Sequence, residues 1–235
     1  MYKSAIRTGL AILFSANLLQ VHAQQLDSLK KIGPQRYSFS TKQLKAPAML
    51  IIAGIASNGK GEEAIKNEVE EQRNALVPKF HTTIDNYLQF SPIVAAYALD
   101  AAGVKSKTDI ANRSMILLKG ELGMLGTVFL VKSLTHTLRP DGSTYNSFPS
   151  GHTAQAFAAA TFLSQEYKDR YPWMPYAAYG VASSVGFLRM ANNRHFISDV
   201  LVGAGIGILS MKASYWTHQY KFGRKKERLD KKIVF

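Results

Sequence analysis

The sequence predicts an all-α fold, a helical bundle embedded in a membrane with about five to six apolar helices. Apolar segments recur along the 235 residues, and their Ala, Gly and Leu content without polar alternation favours helices over strands. Short linkers separate them, as in bundles. A chain of this length buries one substantial core, so a single catalytic domain is the economical reading.

In chain order, Lys3 and Arg7 precede an apolar run from Leu10 to Leu19, and Val21-His22-Ala23 offers a small-residue cleavage site. Residues 1–23 therefore read as a secretory signal peptide, with an uncleaved anchor as the alternative. Residues 24–85 form a polar or interfacial region. Within it Pro47 to Ser57 is apolar but too short to cross a bilayer unaided, and the charged stretch from Lys60 to Lys79 reads as a solvated helix or connector that ends at Pro78. Apolar segments then follow at Tyr87 to Val104, Ser114 to Val131, His152 to Gln165, Pro172 to Leu188 and Val200 to Met211. They define a catalytic domain over 86–217, and a basic tail occupies 218–235.

The mean hydropathy of −0.08 is low for a polytopic protein, and only Tyr171 to Leu188 gives an uncharged run of spanning length. The loops nevertheless alternate in basic content. Lys105, Lys107 and Arg113, then Lys168 and Arg170, then the tail would share the cytoplasmic side if all five segments cross. The loops 132–152 and 189–199 would then share the outer side. Gly203 and Gly207 form a small-xxx-small face suited to close helix packing.

A net charge of +13 and a pI near 9.8 imply an anionic partner. No nucleic-acid motif accompanies the charge. The absence of cysteine excludes disulfides, thiolate metal sites and cysteine nucleophiles. No His or acid spacing resembles a metal site.

Three segments carry candidate chemistry. Lys132 and Arg139 stand two turns apart on an expected helix that Pro140 stops. Pro149-Ser150-Gly151-His152 opens an Ala-rich helix, placing Ser150 near the N-cap, where free backbone N–H groups bind phosphate oxygens. Gly151 lets the backbone approach an anion. In the third segment His195 and Asp199 are four residues apart, so the carboxylate can accept one ring N–H and leave the other nitrogen unprotonated. Arg189 precedes them. The loop from Asp141 to Phe148 joins two of these segments and carries Tyr145 as a candidate head-group contact.

Taken together, Lys132…Arg139-Pro140, Pro149-Ser150-Gly151-His152 and Arg189…His195…Asp199 resemble the three-part signature of the type 2 phosphatidic acid phosphatase superfamily. The resemblance spans roughly Tyr87 to Trp216. One departure is Leu188, where the family usually has Ser, which removes one potential hydrogen bond near the phosphate. The resemblance implies that His195 attacks phosphorus, Asp199 orients it and His152 protonates the departing oxygen, while Lys132, Arg139, Ser150, Gly151 and Arg189 bind the phosphate. No metal or cofactor is required. The expected substrate is a phosphorylated lipid such as lipid A, undecaprenyl diphosphate or phosphatidate, at a bacterial inner membrane with the site facing the periplasm. A soluble periplasmic acid phosphatase is the alternative, and a vanadate-dependent haloperoxidase a more distant one.

Overall fold

The computed structural model describes residue 37 and residues 39–59, 61 and 63–218. The expected signal at 1–23 and the basic tail from residue 219 onward lie outside the described residues. Among the described residues there are eight α-helices, one 3-10 turn (Thr41–Leu44) and no strand, so the chain is all-α. The helices are α1 (Lys45–Ser57), α2 (Ile65–Leu76), α3 (Ile84–Leu88), α4 (Ser91–Ala101), α5 (Ile110–Thr135), α6 (Gly151–Tyr167), α7 (Met174–Ala191) and α8 (Ile197–Trp216).

Local chemistry starts these helices where the sequence marks them. Pro92 and Pro175 sit in the first turns of α4 and α7, where a missing N–H costs nothing. Asp109 caps α5 by accepting from Asn112 N, and Ser150 caps α6. All five expected apolar segments become helices, mostly longer than their apolar runs because capping and packing recruit the flanking residues.

Helix α6 is the centre, buried from Thr153 to Tyr167 except at Phe157. It packs against α8, α7, α4 and α5. The α6–α8 contact is made at backbone distance: a Cβ on Gly203 would lie 2.5 Å from Ser150 O, and one on Gly207 would strike Ala154 O. The small-residue pair thus seats the start of α6 directly on α8. Helix α1 runs antiparallel along the far side of α8, with Gly54 against Val202 and Gly205 against Pro47 and Ile51. The region from Tyr37 onward is one compact unit, so α1 to α3 pack with the helices that follow them.

Helix α5 turns an apolar stripe outward. Leu118, Leu122, Leu125 and Phe129 recur at three- and four-residue steps and are 51–75% exposed. Among the described residues, α5 and α8 are the two helices long and apolar enough to cross a membrane, with α8 mostly inside the bundle and α5 mostly not. The uncharged run from Tyr171 to Leu188, which forms α7, is not one of them.

Candidate active site

The C-terminal ends of α5 and α7 meet the N-terminal ends of α6 and α8 at one end of the bundle, and the motif residues gather there. Helix α5 stops at Thr135, with His136 in the left-handed conformation at φ 43°. This corrects the expected placement of Lys132 and Arg139 on one helical face. Lys132 closes the helix, whereas Arg139 lies on a loop that folds back. The fold-back is held by Arg139 N donating to Thr144 O (3.0 Å), Gly142 N to Arg139 O (3.0 Å) and Ser147 N to Thr137 O (2.9 Å). Gly142 takes φ 70°, a turn conformation that favours glycine. Lys132 Nζ reaches across to the carbonyls of Asn146 and Ser147.

Ser150 is the N-cap of α6, as its sequence context predicts, and is fully buried. Its Oγ accepts from Thr153 N (3.4 Å), and its own N–H donates to Asp199 O (3.0 Å), tying the start of α6 to that of α8. Gly151 and His152 form the first turn of α6. His152 is half-buried, with Nε2 2.9 Å from Asn86 Oδ1.

The third segment differs in detail from its helical reading. His195 precedes α8, while Asp199 sits in the first turn. Asp199 Oδ2 accepts from Phe196 N (3.0 Å), from Ser147 Oγ and from His195 Nδ1 at 3.3 Å, and Ser198 Oγ lies 3.3 Å from Oδ1. A fully buried side chain so furnished with donors is held in place and fixes the ring, with Nδ1 toward Asp199 and Nε2 on the opposite side. Burial above all, with Arg189 and Lys132 adding to it and Asp199 opposing, pushes the His195 imidazole down to about 4. The ring is therefore neutral at pH 7, the state a nucleophile needs.

Arg189, in the last turn of α7, places Nη1 2.6 Å from Asp85 Oδ2, with both side chains buried. Lys132, Arg139 and Arg189 interact electrostatically with one another and with Asp199, and His152 interacts with Arg139, Arg189 and His195. All the charged and histidine side chains singled out from the motifs thus belong to one cluster. Burial and then Arg189 hold the Arg139 guanidinium below its usual range. Arg139 Nε and Arg189 Nε are buried donors without a partner among the described residues. An unpaired buried donor costs about 1–3 kcal/mol, and clustered like charges add to that cost, so an anion here would relieve both.

Three contributing residues escaped the sequence reading. Ser147 donates to Asp199, Asp85 pairs with Arg189, and Asn86 meets His152. An acid two residues before the apolar segment that starts at Tyr87 was the available signal for Asp85; Ser147 and Asn86 offered none by spacing. Tyr145 is 66% exposed on the fold-back loop. That loop is pinned to the His195 loop by Arg194 Nη1 on Asp141 Oδ2 at 2.8 Å. Helix α2 leans over the same region, with Arg73 donating through Nε and Nη2 to Ala191 O (2.9 and 2.7 Å). A small cavity of about 20 Å³ lies between them, lined by Lys66, Glu70, Arg73, Pro140, His195 and Phe196 among others.

The family model of the PAP2 superfamily matches residues 49–223. A lipid A 1-phosphatase of Porphyromonas gingivalis is 39% identical over 176 residues, covering 69% of this chain and 39% of the relative. The chain therefore spans well under half the length of that curated relative. Two crystal structures are also similar. The Aquifex aeolicus LpxE structure has TM-score 0.47 and 22% identity, over 61% of this chain and 92% of that one. The first transmembrane PAP2 type phosphatidylglycerolphosphate phosphatase from Bacillus subtilis has TM-score 0.48 and 20% identity, over 79% of this chain and all of that one.

Proposed function

The chain belongs to the PAP2 superfamily, and from that membership we propose that it is a membrane-embedded phosphatase that releases phosphate from a phosphorylated lipid through a phosphohistidine at His195. The observation that carries this reading is a neutral, buried imidazole oriented by Asp199 within a cluster of three cations.

The roles are those that the family resemblance implies, and the clustering of these side chains supports them. A phosphate ester repels a nucleophile until its charge is matched, and Lys132, Arg139 and Arg189 supply that match without a metal, with Ser150 and the Gly151 N–H at the α6 start completing the cradle. His195 Nε2 forms the bond to phosphorus as the phosphorus–oxygen bond to the lipid breaks. Burial and then Arg189 hold the His152 imidazole down to about 4, and the negative charge of the bound phosphate offsets the cations so that this ring enters the reaction as the imidazolium. It gives its proton to the departing oxygen, then takes one from the water that cleaves the phosphorus–nitrogen bond, regenerating both histidines and releasing inorganic phosphate. Asp199 balances the positive charge that His195 gains.

A lipid substrate is favoured by the outward apolar stripe of α5, which a membrane would cover. Lipid A is the first candidate, given the activity named for the Porphyromonas relative; undecaprenyl diphosphate and phosphatidate share the same reacting group. Lys105, Lys107, Lys168 and Arg170 fall at the end of the bundle opposite the site, and by the positive-inside rule this favours a cytoplasmic position for that end and a periplasmic one for the site.

The test uses protein purified in mild detergent, with EDTA present. Phosphate release is measured from lipid A, undecaprenyl diphosphate, phosphatidate and a soluble aryl phosphate, for wild type and His195→Ala. Release from a lipid that disappears in the variant, together with an acid-labile phosphoprotein trapped by rapid quench, is the expected result. Preference for the aryl phosphate would transfer the protein to the soluble acid-phosphatase class, and an active His195→Ala would end the phosphohistidine mechanism.

A further inference from the structure

The short helix α3 lies outside all three motifs, yet two consecutive residues on it touch both sides of the site. Asp85 is fully buried, with Oδ2 2.6 Å from Arg189 Nη1 and Oδ1 3.2 Å from Asn192 Nδ2. Asn86 presents Oδ1 2.9 Å from His152 Nε2. The segment is clamped in register by Asn192, whose side chain both accepts from Thr82 N (2.8 Å) and donates to Thr82 O (2.9 Å). A carboxylate that is buried and more than a hundred residues from its partner is not a solvated surface charge. Arg189 on one oxygen and Asn192 on the other offset the cost of burying it.

We infer that α3 is a positioning element for the phosphoryl transfer, with Asp85 aiming the Arg189 guanidinium at the phosphate and Asn86 fixing the rotation of the His152 ring. This rests on the function proposed above and adds two residues to its machinery. The physical need is plain. Lys132, Arg139 and Arg189 repel one another before substrate arrives, and without a counter-charge the longest-reaching of them would swing away. Asp85 takes Nη1 of Arg189 and leaves Nε, which has no acceptor among the described residues, for an anion. Because Asn86 Oδ1 is an acceptor, it holds a proton on His152 Nε2, which leaves Nδ1 as the nitrogen that carries the proton delivered to the leaving oxygen. Asp85 and Asn86 do not touch phosphorus in this scheme; they act through Arg189 and His152.

The experiment compares wild type, Asp85→Asn, Arg189→Lys, the double variant and Asn86→Ala on the best substrate found above, with His195→Ala as the dead control. Wild-type turnover that vanishes in His195→Ala establishes the underlying reading, so its failure is seen separately. For Asp85→Asn, kcat should fall at least about 10-fold with helical content retained, and the double variant should be no slower than Arg189→Lys within about threefold, because the charge acts through Arg189. Losses that multiply, or Asp85→Asn within about threefold of wild type, overturn the role of Asp85. Should Asp85→Asn fail to fold, the exposed Asn86 decides for the element as a whole. Asn86→Ala should lower kcat about 5-fold or more with little change in KM, and a kcat equal to or above wild type would overturn the inference.

Discussion

At the end of the bundle away from the site, Arg113 is fully buried, with Nη1 2.6 Å from Ser106 Oγ, Nη2 3.0 Å from Asp100 and its guanidinium 4.6 Å over the ring of Tyr97. Beside it the buried Glu166 accepts from Thr108 N (2.9 Å) and Tyr215 OH (2.7 Å), while Tyr167 OH donates to Ala96 O (2.7 Å). At the site end Arg189 is equally buried and also faces a carboxylate, but it shares its surroundings with Lys132 and Arg139. Both arginines have an Nε without an acceptor. The difference is the company: acids, hydroxyls and an aromatic face enclose Arg113, whereas further cations crowd Arg189. A buried charge surrounded by its complements fastens helices together. Buried charges of one sign work against the fold unless an anion joins them, so their assembly marks a binding function.

The largest effect that would sharpen this contrast is at the nucleophile. His195→Ala should lower kcat by at least about 1,000-fold, in a kinetic assay with a lipid phosphate. The same residue sets a pH signature. Its folded pKa of about 4 lies below the ordinary value of 6.5, so the stability it contributes is present above about pH 6.5 and is lost as pH falls toward 4. The acid limb of kcat/KM due to His195 should accordingly fall near pH 4, and an acid limb that stays above pH 6 would contradict the neutral buried ring.

Next in size, Arg139→Ala should cost about 100-fold in kcat/KM while leaving the thermal midpoint unchanged or raised, since it relieves like-charge crowding. At the opposite end, Glu166→Gln and Tyr215→Phe should do the reverse, lowering stability by about 1–3 kcal/mol with kcat within about threefold of wild type. A fall in activity without a fall in stability at Glu166 would break the comparison. The smallest and most local pair tests the helix seat. Gly203→Ala should destabilise by about 1–3 kcal/mol, because its Cβ would meet Ser150 O. Gly126→Ala, where nothing lies within 4 Å, should be neutral or stabilising by up to about 1 kcal/mol, as thermal melts in detergent can show.

Sequence and structure meet most closely where local rules govern. Ser150 is read as an N-cap because Pro-Ser-Gly precedes an Ala-rich run, and capping involves only the next few residues. The pairing of His195 with Asp199 is likewise legible at four residues, although a helix start rather than a helix face brings them together. The spacing of Lys132 and Arg139 shows the limit. It implies one helical face, but His136 ends the helix first, and the two cations converge only because Ser147, Thr144 and Gly142 fold the loop back. Ser147 itself was invisible, since its partner lies 52 residues away.

By itself the sequence determined the all-α class, the start of α6 at Ser150, the family signature and the residues able to carry charge or cap, because each of these depends on side-chain type and short-range spacing. Only the tertiary structure decided which of them meet. It placed Asp85 on Arg189 across 104 residues, set Asn86 on His152, and seated Ser150 on Gly203. Such contacts depend on how helices pack and where loops return, and no local preference along the chain encodes the distance between two segments that only the folded core brings together.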